Sequence, residues 1–166
     1  MKKILVILIM FIGTINISAQ ENNEAILQKI DSLQSQLNEL QIDYEFHKLE
    51  SELHRFNLEL QTFSNNVASG SNGILIACYH GYADKELYES FKNRYDSSVH
   101  LLNAYKEHYN VRKESLNLKI NDINFSYRQL ILFDKSINAL NAAFNAAEQS
   151  LNHYKTVMSM YKDLIR

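Results

Sequence analysis

Six histidines, His47, His54, His80, His100, His108 and His153, are the first places to look for chemistry. A di-iron centre in a helical bundle needs a glutamate three residues before a histidine, so that both project inward from adjacent turns. Here that spacing finds Tyr44, Ser51, Ala77, Ser97, Tyr105 and Ser150, and no His-Glu-x-x-His zinc motif occurs. His47, Glu50 and His54, at steps of three and four, are the nearest approach to a ligand set. Both histidines fall outside the apolar stripe of their segment, so the trio reads as a polar outer face and no metal or cofactor is assigned. Carboxylates such as Asp31, Glu39, Glu45, Glu52, Glu59, Glu86 and Glu89 are scattered on solvated faces, where acid–base work would need two of them in a desolvated cleft. There is no Gly-x-Ser-x-Gly turn and no phosphate loop. Ser69-Gly70-Ser71-Asn72-Gly73 runs into Ile74 without a lysine and reads as a plain loop. The expectation is a protein that is not an enzyme.

One stretch stands out for what it lacks. Ile74-Leu75-Ile76-Ala77-Cys78-Tyr79-His80-Gly81-Tyr82 carries no charged residue and falls where a hairpin tip is expected. Ile74, Leu75, Ile76, Tyr79 and Tyr82 are therefore the candidate contact with a protein partner or a membrane. The competing structural reading has the second helix starting early, its seam extended backwards through Gly81, Ala77 and Ile74. That reading takes precedence, because seam continuity is a stronger signal than apolarity alone. Cys78, the single cysteine, excludes a disulfide within the chain and is expected to be buried.

The elements that must position these residues are helical. The chain has 166 residues, no proline and four glycines, three of which fall in one short window, Gly70 to Gly81. A fold rich in strands needs turn residues far more often. Residues 1–19 have a basic start (Lys2, Lys3), an unbroken apolar run from Ile4 to Ile12 and a small residue at Ala19, the layout of a secretory signal peptide cut after Ala19. The run is too short for a membrane span. Two of the 17 basic residues and none of the 19 acidic ones lie in that leader, so residues 20–166 carry a net charge of −4. An acidic chain has no electrostatic reason to bind nucleic acid, and none is expected as a partner.

Before the glycine window two apolar series run at helical spacing: Ile26, Ile30, Leu33, Leu37, Leu40, Tyr44, then Ile42, Phe46, Leu49, Leu53, Phe56, Leu60, Phe63, Val67. An offset of two residues puts them on nearly opposite sides of one helix. An assembly contact through the first series would account for that offset. After the window, every seventh residue from Tyr88 to Ile165 is apolar or aromatic. The companion seam positions weaken at Arg112, Lys119 and Ser126, near a cluster of Asn117, Asn121, Asp122 and Asn124. Ser126 and Gln129 then fit a capping box, so the chain should break near Asn121–Asn124. The expected fold is all-α, an elongated antiparallel three-helix bundle or long helical hairpin with coiled-coil character. Residues 20–166 form one domain in this reading, with helices at about 22–67, 84–120 and 126–165 and a loop over 68–83. The expected role is that of an exported protein, in the periplasm or at the cell surface or secreted, acting through protein–protein contacts or self-association. The alternatives are a membrane-active protein inserting residues 74–82, with membrane contact not favoured, and a periplasmic holdase-type chaperone.

Overall fold

The structure, a computed structural model, describes residues 23–165. The expected leader, residues 1–19, lies outside them. Three helices account for nearly all of this length: α1 (Asn23–Tyr79), α2 (Lys85–Asp122) and α3 (Tyr127–Leu164). No strand occurs among the described residues. The chain divides into two units, residues 1–41 and residues 42–166, which are taken in turn.

In the first unit the described residues are helical throughout. Of the apolar series predicted there, Ile30, Leu33, Leu37 and Leu40 are exposed and Ile26 is partly so; Leu27, beside the series, is exposed as well.

The second unit is an all-α three-helix bundle. Its core takes one stripe from each helix. On α1 the stripe runs from Phe46 through Leu53, Leu60 and Val67 to Ile74 and Ala77. On α2 it is Leu102, Tyr109 and Leu116, and on α3 Phe133, Leu140, Ala147, Tyr154 and Tyr161. Fully burying one such large side chain contributes about 1.5–3 kcal/mol, and these stripes are what hold helices of this length together.

Polar pairs show how the stripes are phased. Asp43 accepts a hydrogen bond from Gln129 Nε2 at 2.9 Å, and the Ser64 and Ser150 hydroxyls meet at 2.8 Å; both pairs are 86 residues apart in sequence. α1 and α3 are thus parallel with a constant offset. α2 runs against α1. Arg112 and Lys119 on α2, seven residues apart, bridge to Glu52 and Glu45 on α1, also seven apart, each at 3.4 Å. Two of the polar interruptions of the predicted seam, Arg112 and Lys119, therefore face carboxylates. A pair this exposed contributes only about 0–1 kcal/mol, so its main effect is on register.

Both ends of the bundle are closed by local chemistry. At one end Phe125, in the turn after α2, packs edge-on against Phe46 and Phe133, and Ser126 and Gln129 form the predicted capping box at the start of α3. At the other, the Asp84 carboxylate accepts from Glu86 N at 2.8 Å as the N-cap of α2. The Tyr161 hydroxyl accepts from Asp84 N (3.1 Å) and donates to Asp84 O (3.3 Å), tying this turn to α3.

The expected loop over 68–83 is corrected. α1 runs through the serine–glycine stretch as continuous helix and ends only at Tyr79. Gly70 acts by size here: a Cβ on it would lie 2.6 Å from Tyr154 Cε2, so its absence lets the buried tyrosine ring approach. Ser71, also buried, donates its hydroxyl to Val67 O at 3.2 Å. The actual stop is Gly81 at φ +67°, where Gly81 N bonds to Cys78 O and Tyr82 N to Ala77 O, the paired bonds of a Schellman ending. The backward extension of α2 is corrected with it, since Ile74 and Ala77 continue the stripe of α1.

Candidate functional site

Two exposed apolar surfaces emerge, each within one unit. The first is built on the turn between α1 and α2. The Schellman ending sets Tyr79 and Tyr82 on either side of Gly81, where they are 87% and 62% exposed, and Ile76 one turn earlier is 59% exposed. Leu75 is exposed as well. The His80 ring lies between the two tyrosines, 5.4 Å from one and 5.8 Å from the other. Ile74 is a correction: it is fully buried in the core and belongs to no surface. Four of the five predicted contact residues thus share one exposed tip, and the fifth supports it from beneath.

Sequence reading missed the contribution of α3 to this end. The offset of 86 residues between α1 and α3 places Met160 level with Ile74 and Leu164 level with Cys78, and both Met160 and Leu164 are exposed. The offset follows from how two stripes meet, which no single stretch of sequence displays. The Cys78 thiol is partly exposed; burial raises its pKa above the ordinary 9.0 against an opposing backbone hydrogen bond, so the thiol stays protonated and is a poor nucleophile at neutral pH.

The second surface is the stripe on residues 26–40 of the first unit. Leu27 and Leu40 are 58% and 61% exposed, and Ile30, Leu33 and Leu37 between them are exposed too. The seam repeats at steps of four and three. The positions beside it are Leu27, Gln34 and Gln41 on one flank and Lys29 and Gln36 on the other, so a single charge borders it.

The histidine trio is brought to one face, as its spacing requires. His47 Nδ1 is 3.6 Å from Glu50 Oε2, and His54 lines the same open groove between α1 and α3, with Lys135 across it. Among the described residues no three histidine, cysteine or carboxylate side chains are grouped to hold a metal ion. A second groove, between α1 and α2, has Phe63 and Val67 in its wall and Leu58 and Leu101 exposed along it. Arg94 lines it and donates to Asn66 O at 3.3 Å. Among the described residues no helix is long and apolar enough to cross a membrane.

Comparison with known proteins adds no relative: no family model, no curated protein and no solved structure matches the chain.

Proposed function

We propose that this chain is an exported, non-enzymatic helical-bundle protein that works through protein–protein contacts, as a scaffold or self-assembling component of the cell envelope. The observation that carries the reading is the uncovered stripe of Ile30, Leu33, Leu37 and Leu40. An apolar stripe at this period is the surface by which helices pair, and in water it is a cost unless something covers it. Export rests on the leader-like residues 1–19.

The test is cross-linking and affinity capture from envelope extracts, using the native chain and a Leu33→Asp/Leu37→Asp variant side by side. The reading expects partner bands that the native chain retains and the variant loses. Identical profiles would remove it. Mass spectrometry of the envelope-associated chain should find Gln20 as its first residue.

A second reading is favoured by the tip. Tyr79, Tyr82 and Ile76 stand exposed in a stretch without charge, and tyrosine suits a membrane interface, where its ring is buried and its hydroxyl stays wet. Vesicle flotation with the native chain and with Ile76→Asp decides it. Binding by the native chain alone supports interfacial contact; no binding by either dismisses it.

A further inference from the structure

The seam on residues 26–40 carries information about its occupant. Ile26, Ile30, Leu33, Leu37 and Leu40 fill every inward position of a two-stranded coil across this stretch, with no polar residue among them. A polar residue at such a position, or charges beside it, is how paired helices select a particular partner. Here the flanks are glutamines apart from Leu27 and Lys29. No charge pattern selects an oppositely charged helix, and none repels an identical one. In a parallel in-register pair Lys29 would face the second copy's Gln34, and Gln36 would face its Gln41, so no like charges meet. A second copy of the same helix meets every seam position with an apolar side chain and every flank without like charges.

From this match we infer that the occupant of the 26–40 seam is a second copy of this chain, paired through the same residues. The inference rests on the protein-contact reading above and narrows it to one partner. Two heptads on each of two helices bury on the order of 1,000 Å², the low end of specific interfaces, so the pairing is weak and depends on concentration. Dissociation in the micromolar range is the expectation.

The experiment is sedimentation equilibrium of the full chain and of the chain from Gln20, at concentrations spanning the micromolar range. Two seam variants accompany them. Gln34→Lys/Gln36→Lys/Gln41→Lys makes both flanks basic, and Lys29→Glu/Gln34→Glu/Gln36→Glu/Gln41→Glu makes them acidic. Each substitution keeps a good helix former, so loss of pairing is not loss of helix. The expected result is a mass rising towards twice the monomer for the unaltered chain, pairing at least tenfold weaker in either variant alone, and pairing restored when the two variants are mixed. A monomer at every concentration overturns the inference, as does association that neither variant changes. Pairing of the chain from Gln20 that both variants weaken supports it, whether or not the full chain also pairs. Failure here leaves the broader reading to the capture experiment, where a different protein held by Leu33 and Leu37 would keep it alive.

Discussion

Gly70 and Gly73 lie one turn apart on α1, yet the structure predicts opposite consequences for the same substitution. In Gly70→Ala the new methyl meets the Tyr154 ring, which is stacked on Tyr95 and held by a hydrogen bond from its hydroxyl to Phe91 O. That ring cannot step aside, so the gain in helix propensity is outweighed and a net loss of about 1–3 kcal/mol is expected. A methyl at Gly73 would meet nothing within 4 Å, and Gly73→Ala should stabilise by about 0.5–1 kcal/mol. Chemical denaturation of the two variants reads both signs. Tyr109 and Tyr154 add a dependence on pH. Burial raises both pKa values above the usual 10.0, with Arg94 opposing it at Tyr154. The folded chain therefore keeps protons that the unfolded chain releases. The stability they contribute is complete below pH 10 and is lost as pH rises through the folded values. The melting temperature should fall above pH 10, and less steeply in Tyr154→Phe.

At the scale of elements, the α2–α3 break was legible because its signal is local: Ser126 and Gln129 satisfy each other's backbone and side-chain groups within one turn. The end of α1 was not legible. Glycine reads as a breaker when the sequence is taken alone, but Gly70 answers to Tyr154, a ring more than eighty residues away. The glycine that does stop the helix, Gly81 at φ +67°, fits the seam of α2 by spacing alone. Likewise Arg112 and Lys119 weakened the predicted seam of α2, and their meaning appears only once α1 supplies Glu52 and Glu45. Their pairing makes a prediction for this level. Arg112→Glu should cost about 1 kcal/mol through carboxylate repulsion, and Glu52→Arg added to it should recover most of the loss at low ionic strength. A double-mutant cycle of melting curves in low and high salt checks it.

For the whole molecule, the fold class follows from period and length, because apolar side chains recurring every three and four residues on long helices are hidden by laying the helices together. Which surfaces stay uncovered was half legible. The stripe on 26–40 was recognised as out of phase with the one that follows it, and it is exposed. The contact assigned to 74–82 held one residue, Ile74, that the core claims. Neighbours in sequence on a helix lie about 100° apart, so an apolar run always divides between inside and outside. Every residue of the described core lies between Phe46 and Tyr161. Residues 42–166 made alone should therefore fold with a melting temperature within about 2 °C of the longer chain, measured in dilute solution where copies do not pair.

The constant offset between α1 and α3 has a further consequence for how such a chain can change in length. Asp43 with Gln129 and Ser64 with Ser150 keep step over three heptads, while Phe125 plugs one end and Tyr161 clasps Asp84 at the other. Excising seven residues from one helix alone would put plug and clasp out of step. Taking seven from each of the three at the same level would leave both intact on a shorter rod. Within residues 42–166, shortening or lengthening is thus quantised in sets of three heptads, and single-helix insertions there are tolerated only at the turns.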